Sequence, residues 1–321
     1  LFAMFQVPYL TTPSDLQVGY HERTRVFMFR MLFLTLGLLG AGVTAPALVA
    51  SGSRGDYTTM AAVLGVVMVV SAAVALRGVR RLTEQAGVTL PGAHDHHSAL
   101  GDLRVAWADR DFRALVLSYM FTGMTTHLFL AALPFYTEYV LGDQRYTALL
   151  MGLFLGPAAL TGPLWLAVSR RIGKQRGLLL AQATFVVGSL LLLAGESVGI
   201  AGTAVVVAVL GTAFTGLQLL AFSMVPDAVA AAEAGGVSAA GAYTGVWTAT
   251  EATSTAIGPY LYSAALALGG FVSSAGGVDV QQPGSAMTAL LLGFTVLPAA
   301  TMVLALHFQR RYRLDAGAAR S

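Results

Sequence analysis

The sequence predicts an all-α fold, a polytopic bundle of membrane-spanning helices. Three observations predict it: a deficit of charge, apolar runs of membrane length, and a one-sided distribution of Arg and Lys. Apolar types make up 56% of the 321 residues and charged types only 11%. Soluble domains carry about 25% charged residues, so this chain has too few to cover a surface facing water. Its mean hydropathy is +0.69. There are no cysteines, which excludes disulfides and thiol chemistry. The net charge of +3 is small, and nucleic acid is not an expected partner.

A membrane helix needs about 20 mostly apolar residues. Eight segments meet that test: Val26–Ala50, Tyr57–Leu76, Ala114–Thr137, Tyr146–Val168, Gly177–Ala194, Ile200–Val225, Gly241–Gly269 and Ser285–His307. They are spans one to eight below. Their lengths suit helices, which satisfy their own backbone in hydrocarbon. A β-barrel would show alternating strands of about ten residues instead.

The loops give the orientation. Arg23 and Arg25 precede span one, and Arg77, Arg80, Arg81, Arg104, Arg110 and Arg113 separate spans two and three. Arg170, Arg171, Lys174 and Arg176 separate spans four and five, while Arg310, Arg311, Arg313 and Arg320 follow span eight. The opposite side receives only Arg54 and Arg145. Under the positive-inside rule the basic loops and the C-terminus are cytoplasmic, in a multi-pass protein of the cell membrane. These bases read as topogenic. The loop after span six, with Asp227 and Glu233, carries no base; alternation places it inside too.

Residues 77–113 form the longest polar stretch and read as a central cytoplasmic linker. It divides residues 1–76, a remnant of one helical half, from a six-helix half over 114–308; residues 309–321 are a tail. His94-Asp95-His96-His97 in the linker reads as solvated chain and not as a metal site. Asp102–Phe112 suits a short amphipathic surface helix. Leu1–Leu10 is apolar and reads as the end of an earlier helix, so the chain is expected to be truncated at its N-terminus.

Within the spans the ionisable residues are Arg30, His127, Glu251 and the terminal His307. Such groups cost about 2.5–3.5 kcal/mol on insertion scales, which makes them functional candidates. Glu251 lies near the middle of span seven, in a stretch rich in Thr. At helical spacing Trp247, Glu251, Ser254 and Gly258 share a face, which suits a water-filled cavity for a polyol or a cation; helix–helix hydrogen bonding is the competing reading. Gly258-Pro259 follows and is a place for a kink. Arg30 has two readings, a site residue or an arginine snorkelling to the headgroups. His127 binds a substrate hydroxyl, relays a proton, or bonds a neighbouring helix. Gln218, Trp165 and Tyr119 are weaker candidates, aromatics near helix ends being commonly interface anchors. There is no G-x-x-x-x-G-K-[ST] phosphate loop, no H-E-x-x-H and no G-x-S-x-G, which argues against an ATP-driven pump and an enzyme.

Several stretches are familiar in their order: Gln6-Val-Pro-Tyr9, Tyr20-His-Glu-Arg-Thr-Arg25, Phe29-Arg30 and Gly42-Val-Thr-Ala-Pro46. Tyr139-Val-Leu-Gly142, Ser169-Arg-Arg-Ile-Gly-Lys174, Met224-Val-Pro-Asp227 and Ala242-Tyr243 follow. Together they resemble the glycoside–pentoside–hexuronide:cation symporter family, the melibiose-permease branch of the major facilitator superfamily. The resemblance implies twelve helices, of which this chain would lack the first three and most of the fourth. It implies a cation site of acidic residues on the second and fourth helices, where the matching position here is Gln6. Arg30 matches a family arginine near the site. Glu251 falls where melibiose permease has lysine, and Ala230 replaces the middle acid of a motif that keeps Asp227 and Glu233. The expected function is secondary transport of a small polar solute, a sugar or glycoside, coupled to Na+ or H+ and with no other cofactor. The alternatives are transport of an amphiphile, drug or lysolipid, and, from another class, a membrane scaffold or membrane enzyme. Substrate, coupling ion, direction and oligomeric state are not readable from the sequence.

Overall fold

The computed structural model describes residues 25, 28–29, 32–34, 36–37, 40, 44, 48, 54–86, 104, 106–234, 240–272 and 281–314. Among them there are helices and no strand. Gln6, Arg30, the first ten residues and the His94–His97 run lie outside the described residues, and so do the readings made on them.

Helix α1 is Arg54–Ala86. It runs on past the expected end at Leu76, so the start of the linker is helical; Arg, Leu, Glu, Gln and Ala there are all good helix formers. Helix α2 is Arg110–Tyr139. Asp109 caps it, its Oδ1 accepting from the backbone N–H of Asp111 (2.9 Å) and Phe112 (3.1 Å). That cap corrects the expected surface helix Asp102–Phe112: Ala106–Ala108 are helical, the chain breaks at Asp109, and the remainder belongs to α2.

Span four is corrected as well. It is two helices, α3 (Tyr146–Leu160) and α4 (Gly162–Ile172), bent by 45°. Pro157 lacks the N–H that the helix needs, and a proline in the first turn of α4 starts a new one. Thr161 stitches the bend, its hydroxyl lying 2.8 Å from the Pro157 carbonyl and 3.0 Å from the Thr215 hydroxyl.

Helix α5 is Lys174–Leu191, followed by a 3-10 turn at Leu192–Ala194 and by α6, Gly195–Ala234. Gly199, at φ 64° and ψ −171°, turns the chain back, a conformation that favours glycine. The two helices then pair antiparallel, with Gly188 against Leu210, Gly177 against Leu220 and Lys174 against Asp227. Helix α6 continues through Pro226, so Asp227 and Glu233, expected in a loop, are helical.

Helix α7 is Ala240–Leu268 and α8 is Gly284–Gln309. Helix α7 runs on through Pro259, where a kink was possible. Judged by length and hydropathy, α1, α2, the α5–α6 run, α8 and the bent α3–α4 pair suit a membrane crossing. Helix α7 is not among these; its Thr, Ser and Tyr residues and Glu251 lower its hydropathy. Such a helix is tolerated in a bilayer where its polar face meets protein or lines water.

Helix α2 is the central strut. It lies parallel to α7, with Asp109 by Tyr243 and Phe135 by Tyr262. It lies antiparallel to α8, with Phe121 by Phe308 and Phe129 by Phe294. Phe129, Phe154, Phe185 and Phe294, all fully buried, interlock α2, α3, α5 and α8. Outward faces of the packed helices carry exposed apolar side chains such as Val187, Val205 and Val303, as lipid contact requires.

Candidate functional site

The α2–α7 seam holds most of the candidates that the sequence singled out. Two glycines bring the helix backbones together. A Cβ on Gly123 would lie 2.7 Å from the Ser254 Cβ, and one on Gly258 would lie 2.6 Å from the Met124 carbonyl oxygen. Small residues allow such close approach in membranes.

Toward the basic end of the seam, Tyr119 stacks on Trp247 with ring centroids 4.1 Å apart, and Phe222 of α6 meets both rings edge-on. The Tyr119 hydroxyl donates to Oε1 of Gln218 (3.2 Å). Trp247 is fully buried.

Two helical turns further along, His127 bridges the seam. Its Nδ1 lies 2.8 Å from the Gly123 carbonyl and its Nε2 3.2 Å from Oγ1 of Thr255. A carbonyl only accepts, so Nδ1 carries a proton. The Thr255 hydroxyl also reaches the carbonyl of Glu251 (2.9 Å). It has one proton for two acceptors. If it donates to Glu251, the bond to His127 needs a second proton on the ring; if it donates to Nε2, the ring is neutral.

Glu251 itself is half-buried on α7, about 17 Å along the helix from its start at the usual rise. Thr250 is half-buried and Thr253 and Thr255 are exposed beside it. Each binds its hydroxyl to a carbonyl one turn back. The face expected from helical spacing is therefore divided. Trp247, Ser254 and Gly258 are buried against α2, and the Ser254 hydroxyl, with one proton, lies within reach of the carbonyls of Thr250 (2.7 Å) and Met120 (3.1 Å). Glu251 stands at the edge, with the threonines. The reason is the width of the seam: α2 covers one stripe of α7, and residues four apart do not all fall under it.

A cavity of about 590 Å³ opens beside this edge, walled by Arg104, Trp107, Arg113, Met120, Val246 and Thr250 among others. Among the described residues no three His, Cys, Asp or Glu side chains converge as metal ligands. His307 is exposed at the end of α8, with Nε2 2.8 Å from Arg311.

Two side chains differ from their sequence reading. Trp165 is no interface anchor: it is buried, donates to the Thr212 carbonyl (2.7 Å), and lies where only a glycine, Gly216, leaves room. Lys174 is no loop base. It opens α5 with its side chain fully buried, and its ammonium is paired with Asp227 and donates to the Ser223 carbonyl (3.2 Å). Gly173, at φ 87°, makes the turn that aims it inward. The sequence signal was there in Gly173-Lys174 and Pro226-Asp227, but nothing in the spacing said that α5 and α6 would bring them together.

An all-helical membrane bundle with a polar seam at mid-helix has the build of a membrane transporter. A family model described as MFS/sugar transport protein matches residues 1–316. The chain belongs to that family and so to the major facilitator superfamily. Among curated proteins, none matches.

Proposed function

We propose that the protein is a cation-coupled symporter of a sugar or glycoside, of the melibiose-permease branch, in the cytoplasmic membrane with its basic end inside. The observation that carries this reading is Glu251, a carboxylate half-buried at mid-helix among threonine hydroxyls and one turn from Thr255, which meets His127. A carboxylate at that depth must be paired, hydrated or protonated, and each of those states responds to a cation. Threonines beside it offer a hydroxyl solute further partners. The two-position hydroxyl of Thr255 gives a proton a way to be felt on both helices. Tyr119 and Trp247, buried against each other, form an aromatic wall behind the seam, and Gln218 accepts from the Tyr119 hydroxyl. The basic ends of α2, α4, α5 and α8 support the orientation.

Uptake of labelled glycosides into cells expressing the protein tests the proposal. Glu251→Gln keeps the shape and removes the charge. It should abolish concentrative uptake while leaving membrane insertion normal, and exchange down the solute's own gradient should survive. Normal concentrative uptake by Glu251→Gln at several pH values would demote the residue to helix association.

One observation favours a second reading. The cavity beside α7 combines apolar walls with Arg104 and Arg113, which suits an anionic amphiphile. Competition decides: inhibition of glycoside uptake by polyols and not by amphiphilic anions supports the sugar reading.

A further inference from the structure

At the basic end of the bundle the first turn of α2 faces the last turn of α8 across a pocket of about 350 Å³, walled by Arg110, Arg113, Arg311, Leu117 and Phe308. This pocket shares Arg113 with the cavity beside α7, but none of its lining residues lies on α7. We propose that it binds the phosphodiester headgroup of an anionic phospholipid.

The first argument is uncompensated charge. Three guanidinium groups, two from the first turn of α2 and one just past the end of α8, surround one cavity, and like charges brought together repel. Among the described residues none of the three pairs with a carboxylate. Arg113 donates to the Trp107 carbonyl (3.3 Å), and Arg311 lies 2.8 Å from Nε2 of His307 and 5.8 Å over the Phe308 ring. The nearby acids are engaged elsewhere. Asp109 caps α2 and accepts from the Tyr243 hydroxyl (2.9 Å), while Asp111 accepts from the Arg313 backbone N–H (2.7 Å). A bound anion would relieve this repulsion, and the guanidinium fork matches phosphate oxygens two at a time.

The second argument is position. The pocket lies at the ends of two membrane-length helices, the level at which headgroups sit, and basic pockets between helices there bind anionic lipid heads. Its floor is Phe308, which stacks on Phe121 with centroids 5.7 Å apart and ring planes nearly parallel. Below that, on the same side of α8, Leu304 is 45% exposed and offers an acyl chain an apolar track. A free phosphate would use the arginines alone; a lipid uses the arginines and the track.

The walls are built to hold their shape. Thr125 and Thr301 join α2 to α8 below the floor (2.7 Å). Gln175 of α5 donates to the carbonyls of Gln309 and Tyr312 and so fixes the end of α8.

The test is native mass spectrometry of the whole protein in zwitterionic detergent, titrated separately with phosphatidylglycerol, cardiolipin and phosphatidylcholine. Wild type should retain the anionic lipids under activation that strips phosphatidylcholine. Arg113→Gln/Arg311→Gln should lose at least fivefold of that retention. Arg170→Gln/Arg171→Gln, removing two exposed bases at the end of α4, should retain lipid as wild type does. Equal loss in both variants would make the binding diffuse and overturn the site. Glycerol phosphate at the lipid's concentration should not displace it; displacement would mean a free-phosphate site and overturn the lipid proposal. If the glutamine variant unfolds early, Arg113→Lys/Arg311→Lys takes its place. It keeps the charge, loses the fork and should retain lipid less well than wild type. Retention equal to wild type would overturn the arginine geometry.

Discussion

Helix α2 has two seams, and they are built differently. Against α8 it uses bulk: Phe129 stacks on Phe294 at 4.8 Å, Tyr136 stacks on Phe294 at 4.3 Å, and Phe121 stacks on Phe308. Against α7 it combines ring pairs (Phe112 with Tyr243, Tyr119 with Trp247 and Phe135 with Tyr262) with close backbone approach, Gly123 under Ser254 and Gly258 over Met124, and His127 beside them. Interlocked rings resist sliding, because each ring fills a shape that only one register provides. Smooth backbone contact leaves polar groups in reach of one another and of a half-open edge. The proposed site residues, Glu251, His127 and Thr255, lie along the second seam. The lesson is that one helix is held in two ways: α2 meets α8 through side chains, and meets α7 partly backbone to backbone, where small residues matter most.

The largest effect should come from filling the smooth seam. Gly258→Val sets side-chain atoms against backbone at 2.6 and 2.9 Å, which cannot yield without moving a helix. We expect a loss of about 3 kcal/mol, the upper end for overpacking, seen as a lowered unfolding midpoint in detergent. An unchanged midpoint would mean that the seam is loose and the comparison wrong.

Next comes Phe294→Ala on the anchoring seam. In a soluble core this costs about 3–5 kcal/mol. Lipid is as apolar as the core, so the transfer part largely drops out and roughly 2 kcal/mol of lost contact remains. Uptake per folded molecule should persist. Loss of uptake in a folded variant would show that the anchor takes part in transport.

A double-mutant cycle on Thr125→Val and Thr301→Val measures the hydroxyl–hydroxyl bond between α2 and α8. Coupling of about 0.6 kcal/mol is expected, the average for such bonds in a membrane. A value several times larger would make this seam polar in its energetics as well.

The smallest effect on stability should be that of Thr255→Val, within about 0.5 kcal/mol for an exposed position. Its consequence is for coupling. With the hydroxyl gone, the protonation of His127 no longer reaches the Glu251 carbonyl, and the pH profile of uptake should shift. An unaltered profile would remove Thr255 from the proton's path.

The sequence alone determined the class of fold and much of the layout. Apolar runs and scarce charges are sums over many residues, and a bilayer reads them segment by segment, with no knowledge of neighbours. Hence α1, α2, α5, α6, α7 and α8 fall close to where the runs placed them. Glu251 and His127 were legible for the same reason, since a charge in hydrocarbon is conspicuous wherever it sits. The tertiary structure decided everything that needs two helices at once. It split the expected face of α7, because only α2's position says which stripe is covered. It took Lys174 out of the loop and paired it with Asp227, because antiparallel pairing brings together residues remote in the chain. It bent span four at Pro157, where hydropathy registers no break. Periodicity reports how a helix is faced, but what each face meets is set by contacts between segments, and those exist only in the folded bundle.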